Sequence, residues 1–177
     1  MDSTVAERPE ASAPTVSAGV ERRKGNRLRA YWDALRGERR CPSLPEIDLT
    51  AIATLWRYCF LAAVSGERLQ FTYVGPAATR GYGIGGAPTA ATAIPPALLK
   101  LVEDPCREAV QSMKPVLFEG VTANGWGDEV RYRSVALPLS PDQVAASHLL
   151  GLIDYVELRR SIADGIQVTT AISPDTR

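Results

Sequence analysis

The chain has 177 residues, with 20 basic side chains against 20 acidic ones, a single histidine and three cysteines. A net charge of zero excludes proteins that depend on nucleic acid, which need a summed positive field. One histidine and scattered cysteines without a C-x-x-C pair exclude most metal sites and are typical of a reducing compartment. The sequence shows no apolar signal-peptide core and no run near the about 18 apolar residues of a membrane span, so we expect a cytoplasmic protein.

Residues 1–25 are rich in Ala, Ser, Thr, Pro and Glu and have no apolar period, which predicts a disordered tail. Asn26 is a residue type that caps helices, and Gly37 is one that ends them. An N-terminal amphipathic helix is therefore expected over residues 26–37. Its apolar stripe, at spacings of three and four residues, consists of Leu28, Tyr31, Trp32 and Leu35.

The stripe of this helix needs a partner, because an amphipathic helix must bury its apolar face. We predict that two copies pack their stripes together about a two-fold axis, so that these four residues form the interface of a homodimer. The alternative is that the stripe folds back on its own sheet. Residues 21–40 also carry eight basic side chains against three acids, which favours a solvated helix face over a surface for an acidic partner or a lipid surface.

After this helix the sequence predicts a second short helix and then a hairpin. Ser43 and Glu46 have the spacing of a capping box, and the helical period ends near residue 57. The period then becomes two, which predicts strands over residues 58–64 and 68–74 around a tight turn. On the second strand Phe71 and Tyr73 alternate with polar residues, so both are expected on one buried face against the later helix.

Residues 75–96 are rich in Gly, Ala, Thr and Pro and contain the spacing G-x-G-x-x-G at Gly81, Gly83 and Gly86. The run neither leaves a strand directly nor opens an obvious helix, so we interpret it as a flap rather than a nucleotide loop. A helix from residue 97 to 113, kinked or restarted at Pro105, comes next. Strands are expected over residues 115–121, 130–139 and 146–155, and residues 158–177 form a C-terminal tail.

Few side chains in the sequence are arranged for chemistry. His148 is alone, and no serine lies in a nucleophile elbow. Arg131 and Arg133 have the spacing of an anion clamp on one strand face, although solvated strand positions are the favoured interpretation. Tyr73 and Asp154 are the remaining acid–base pair.

The blocks YWDALRGERRCPSLPEIDL, LTAIATLWRYCFLAAVSGERLQFTYVGPAATRGYG, KPVLFEGV and VALPLS together resemble the small, often stand-alone bacterial PAS-domain family. The resemblance covers residues 27–155. It implies an α+β fold in which helices pack on one face of a five-stranded antiparallel sheet, and the order of predicted elements indicates the same. The glycine-rich stretch GYGIGGAPTAATAIPP departs from the family. The cysteine motif of its flavin-binding branch is absent, since Cys106 lies in EDPCREAV, so no flavin is expected. Neither haem nor a metal is expected, because one histidine and scattered cysteines cannot complete a metal site.

The resemblance implies a non-catalytic sensory and regulatory module, over residues 26–157, that acts on a separate signalling protein by protein–protein interaction. A small-molecule ligand in the core is one form of this hypothesis, and a pure adaptor without ligand is another. A small cone-shaped enzyme like ketosteroid isomerase, using Tyr73 and Asp154, is the alternative from a different class. The candidates for lining a ligand cavity are Phe71, Tyr73, Leu98, Leu101, Phe118, Val135 and Leu137.

Overall fold

The computed structural model describes residues 18–81 and 96–157. Helix α1 (Ala18–Arg36) leads through a single 3-10 turn (Leu44–Glu46) to the short helix α2 (Ala53–Trp56). The strands β1 (Cys59–Ser65) and β2 (Arg68–Val74) form a hairpin, followed by helices α3 (Pro76–Gly81) and α4 (Pro96–Ser112). The remaining strands are β3 (Val116–Ala123), β4 (Glu129–Leu139) and β5 (His148–Glu157).

The strands form one five-stranded sheet in the order β2-β1-β5-β4-β3, and every pairing is antiparallel. The predicted α+β class with a five-stranded antiparallel sheet is therefore confirmed. Residues 134–140, at the end of β4 and just after it, are all buried, although successive side chains point to opposite faces. This part of the sheet is therefore covered on both faces. No helix within residues 18–81 and 96–157 is long and apolar enough to cross a membrane.

Two apolar clusters cover the two faces of the sheet. Helices α3 and α4 pack on one face, which we call the α4 face, where Leu98, Val102 and Cys106 meet Phe60 and Ile153. Helix α1, the 3-10 turn and α2 pack on the opposite face, the α1 face. Its buried side chains include Leu28, Trp32, Cys59, Val135, Leu137, Leu150 and Leu152.

The stripe of α1 therefore faces its own sheet. Leu28 and Trp32 are fully buried within the chain, and the indole Nε1 of Trp32 donates to the carbonyl of Pro138 at 2.8 Å. These two side chains are not available to a second copy, which corrects their assignment to a dimer interface. Tyr31 and Leu35 are half-buried, and the Tyr31 hydroxyl accepts from the amide of Asp48 at 2.6 Å. A homodimer stays a prediction, and it needs another surface.

Helix α1 also begins earlier than predicted, at Ala18, so residues 18–25 belong to the helix rather than to a tail and Asn26 does not cap it. The ammonium of Lys24 donates to the buried carboxylate of Asp154 at 2.8 Å, which fastens this first part of the helix to β5. The helix ends as predicted, with Gly37 in the left-handed region at φ +54°. Predictions for residues 1–17, for Gly83 and Gly86 and for residues 158–177 lie outside the described residues.

One residue of β2 interrupts the predicted alternation of buried and exposed side chains. Leu61 pairs with Tyr73 but Ala62 pairs with Phe71, so Thr72 is the extra residue of a β-bulge. Phe71 is buried on the α4 face, as predicted. Tyr73 lies on the α1 face instead and stacks on Trp56 with ring centroids 4.2 Å apart, so its predicted packing against α4 is wrong. Helix α4 is one element that includes Pro105, so the predicted restart does not occur, and a kink at this residue stays a prediction.

Candidate functional site

The space between the α4 face and helix α4 is almost completely filled. The cavity there has a volume of about 10 Å³, which is about the space of one water molecule. A pocket for a small ligand is of the order of 300–1,000 Å³. Within residues 18–81 and 96–157 this interior therefore has no room for a ligand. Its lining consists of Phe60, Phe71, Val74, Leu98, Val102 and Ile153.

The aromatic ring of Phe60 accounts for much of this filling. It lies directly over Gly151 of the neighbouring strand β5, where a Cβ atom would come within 2.0 Å of the ring. The ring of Phe71 packs beside it, with centroids 5.6 Å apart. The absence of a side chain at Gly151 thus lets an aromatic ring occupy the middle of the sheet. Sequence reasoning missed this pair because its members are far apart in the chain.

The predicted cavity residues do not come together. Phe71, Leu98, Leu101 and Phe118 lie on or against the α4 face. The other members, Tyr73, Val135 and Leu137, lie on the α1 face. The prediction that all of them line one cavity is therefore wrong. Alternation of apolar and polar residues shows neither the bulge in β2 nor the fact that both faces of the sheet are covered.

Tyr73 and Asp154, the acid–base pair of the enzyme hypothesis, each form a hydrogen bond with a different residue. The Tyr73 hydroxyl donates to the carbonyl of Trp56 at 3.1 Å, and burial, with a smaller effect of Cys59, raises the pKa of Tyr73. Asp154 is held by Lys24, whose ammonium also lies 4.1 Å from the ring centre of Tyr58. Burial is the largest single effect and would lower the pKa of Lys24, but the hydrogen bond and the charge of Asp154, with smaller contributions from Tyr58, together outweigh it, so the pKa is raised. Each group is occupied in holding the fold.

The cysteines are packed as apolar side chains. All three are free and buried. Burial raises the pKa of Cys59 and of Cys106 to about 12, so these thiols stay protonated and non-nucleophilic at neutral pH. Burial also raises the pKa of Cys41, although nearby arginines act in the opposite direction.

His148 lies next to the Ser147 hydroxyl, with Nδ1 at 3.0 Å from Oγ. Among the described residues no three His, Cys, Asp or Glu side chains are grouped to hold a metal.

Two of the sequence blocks that carry the family resemblance meet at the end of the sheet. The side-chain amide of Gln143 accepts from the Cys41 N–H at 3.0 Å and donates to the Cys41 carbonyl at 2.9 Å. The amide of Ser140 donates to the carbonyl of Pro42 at 2.9 Å. The chain after α1 is thereby bound to the β4–β5 connection. These contacts join the chain after α1 to the sheet and so contribute to the fold.

The exit of α1 is held by a second polar cluster around Glu46. Its carboxylate accepts from the amide and the hydroxyl of Ser43 at 2.7 and 2.8 Å, which confirms the predicted capping-box pairing. Arg39 donates to both carboxylate oxygens, at 2.6 and 3.0 Å. The hydrogen bonds from Arg39, and after them those from Ser43, hold the pKa of Glu46 at about 2.

An exposed apolar surface lies on the β3–β4 hairpin. Leu117 and Val121 of β3 are about half exposed, at 51% and 50%, and Trp126 in the turn is 64% exposed. We call these three residues the hairpin surface. The turn is well ordered because the side chain of Asn124 accepts from the amides of Trp126 and Asp128 at 2.9 and 2.8 Å. Because β3 is an edge strand, this surface adjoins a row of backbone groups that no other described strand pairs with.

The two arginines considered as an anion clamp lie beside this surface, on β4. Arg133 is paired with Glu119 across the β3–β4 ladder, with Nε and Oε2 at 2.8 Å. Arg131 is exposed and lies opposite Val121 in the same ladder. Arg133 is therefore already engaged by a carboxylate, and the pair does not form a free clamp.

The sequence matches no family model and no curated protein. Among solved structures it is similar to that of a fungal LOV domain photoreceptor, with a TM-score of 0.36 and 18% sequence identity. The match covers 66% of this chain and 95% of that one. A likeness of this degree assigns neither a function nor a cofactor to the chain.

Proposed function

We propose that the chain is a non-catalytic regulatory module of the PAS type that acts by binding a separate signalling protein. The resemblance of its sequence blocks and the five-stranded antiparallel sheet support this class. The observation that carries the proposal is a contrast within residues 18–81 and 96–157. The interior cavity there is only about 10 Å³, which we call the closed interior, whereas the hairpin surface is apolar and exposed. A module built in this way transmits its signal through its surface. The three free thiols agree with a cytoplasmic setting.

The edge strand β3 is the place where we expect the partner to bind. Soluble proteins protect exposed sheet edges with bulges, charges or short strands. The opposite edge, β2, has such protection, because it carries the bulge at Thr72 and exposes Gln70. Strand β3 is longer and exposes Leu117 and Val121. An extended segment of a partner that added to this edge would gain backbone hydrogen bonds and cover both side chains.

The proposal is tested by photo-crosslinking in the cell. A photoreactive phenylalanine at position 121 is expected to give one discrete adduct with a second protein. The same residue at position 70, on the protected edge, is the matched control and is expected to give none. An adduct whose mass equals two copies of this chain would assign the edge to a homodimer instead. Equal labelling at both positions, or none at 121, would overturn the proposed surface.

The closed interior needs a test of its own. Native mass spectrometry of freshly purified protein reports a retained small molecule and the oligomeric state in one measurement. We expect a mass that equals one chain or a whole multiple of it, with no added ligand. A stoichiometric organic ligand would contradict the closed interior and support the ligand-sensing form of the hypothesis.

A further inference from the structure

A second and larger cleft lies on the surface between the end of α1 and the end of α4. Its volume is about 290 Å³, close to the lower limit for small-molecule sites. We call it the basic groove. The side chains of Arg29, Arg36 and Arg40 line it from α1 and its exit, and Lys114 lines it from the α4–β3 connection. Trp32, Asp33 and Met113 also line the groove.

The groove is positively charged, although the net charge of the whole chain is zero. Four cations and one carboxylate line it, which leaves a formal charge of +3. Asp33 is shared between two of the cations, with Arg36 Nε at 2.9 Å and Arg29 Nε at 3.6 Å. Within residues 18–81 and 96–157, Arg40 and Lys114 have no carboxylate within ion-pair distance. These two side chains are exposed and free to meet an anion.

Basic residues near a helix C-terminus often serve only to satisfy its last carbonyls and its dipole. In α1 a different side chain does this. Arg39, which is not in the groove, donates to the carbonyls of Leu35 and Arg36 at 2.6 and 3.2 Å and is itself held by Glu46. The groove cations Arg29 and Arg40 are therefore not needed to cap the helix.

The walls of the groove are rigid. Trp32 is pinned to the sheet by its hydrogen bond to Pro138, and only 1% of its surface is exposed. On the other side Met113 is held in the left-handed region at φ +55° with its side chain 5% exposed. Because both backbones are held by the core, the positions from which the cations extend are fixed, and only their side chains must become ordered when a ligand binds.

We infer that the basic groove binds a compact polyanion that carries neighbouring phosphate groups. Guanidinium groups bind phosphate oxygens in a bidentate manner, and the groove offers three of them with one ammonium. A formal charge of +3 is matched by a ligand of two or more phosphates better than by orthophosphate. The mostly charged lining disfavours an apolar ligand.

Isothermal titration calorimetry with inorganic pyrophosphate, without metal ions and at physiological ionic strength, tests the inference. We expect saturable binding that is tighter than that of orthophosphate or citrate. The double variant Arg40→Gln, Lys114→Gln removes two exposed cations with no structural partner and should weaken binding about tenfold for each charge lost. Arg107→Gln on α4 is the matched control, because that arginine pairs with Glu103 and Asp104 away from the groove and should bind as the parent does.

Three outcomes would overturn the inference. One is the absence of saturable pyrophosphate binding. Another is equal affinity in the double variant and the parent, which would place the bound anion elsewhere. The third is tighter binding of citrate or of an acidic peptide than of pyrophosphate, which would assign the groove to carboxylates. None of these measurements depends on the crosslinking at β3, so the two proposals fail separately.

Discussion

Replacing Trp32 with alanine removes the largest side chain that α1 buries against the sheet. Only 1% of this side chain is exposed, and its indole donates to the carbonyl of Pro138 at 2.8 Å. Truncation of a buried tryptophan costs about 3–5 kcal/mol of unfolding free energy. A domain of this kind has about 5–15 kcal/mol in total, so the variant should stay measurable but marginal.

Urea unfolding followed by far-UV circular dichroism gives the free energy of unfolding for the parent and its variants. Trp32→Phe keeps most of the apolar volume but leaves the Pro138 carbonyl without this donor, which should cost about 1–3 kcal/mol. The same truncation at the exposed Trp126 is the matched control and should change the free energy by less than about 0.5 kcal/mol.

The burial of Trp32 under its own helix would be contradicted if Trp32→Ala destabilised the protein no more than Trp126→Ala. It would also be refuted if the loss of stability at position 32 vanished on dilution, because that result is expected of a side chain buried between two copies. Light scattering over the same range of concentration separates these cases. An intramolecular role predicts no change in mass when Trp32 is replaced by phenylalanine.

Three further predictions follow from the contacts described above. Gly151→Ala should destabilise the fold by roughly 1–3 kcal/mol in the same urea assay or prevent folding, because the added methyl would meet the ring of Phe60. Glu46 has a folded-state pKa of about 2 against an ordinary 4.5, so its stabilising effect should be present above pH 4.5 and be lost as the pH falls toward 2. Cys59 and Cys106 should not react with a thiol reagent at pH 8 in the folded protein and should react in urea.

Two of these predictions have a control variant, and the third has a direct contradicting outcome. Gly25→Ala in α1 meets no atom within 4 Å and should stabilise the protein by about 0.5–1 kcal/mol, opposite in sign to the change at Gly151. Glu46→Gln should differ from the parent near neutral pH and converge with it toward pH 2; a constant difference would disprove the pKa argument. Rapid labelling of the native cysteines would contradict their burial.

Local sequence signals predicted the elements well and their partners poorly. The bounds of β2 match the prediction, because alternation and a glycine turn define a hairpin within a few residues. The same alternation placed Tyr73 on the wrong face, since a period of two cannot show that Thr72 is an extra residue. The stripe of α1 was recognised, but amphipathicity shows only that a face is buried and not what covers it. Whether the interior is open depends on Phe60 over Gly151, a contact between distant residues that no local pattern contains.

The three tryptophans of the chain occupy three distinct environments. Trp32 is buried between α1 and the sheet and is hydrogen-bonded. Trp56 is half-buried and stacked on Tyr73, and Trp126 is exposed in the β3–β4 turn. Their emission should therefore report separately on the docking of α1, on the packing of α2 and on whatever covers the hairpin. Because an aqueous quencher reaches Trp126 first, occupation of the hairpin surface would appear as protection from quenching with no change in the buried indole. The molecule thus carries an optical readout of partner binding that needs no label.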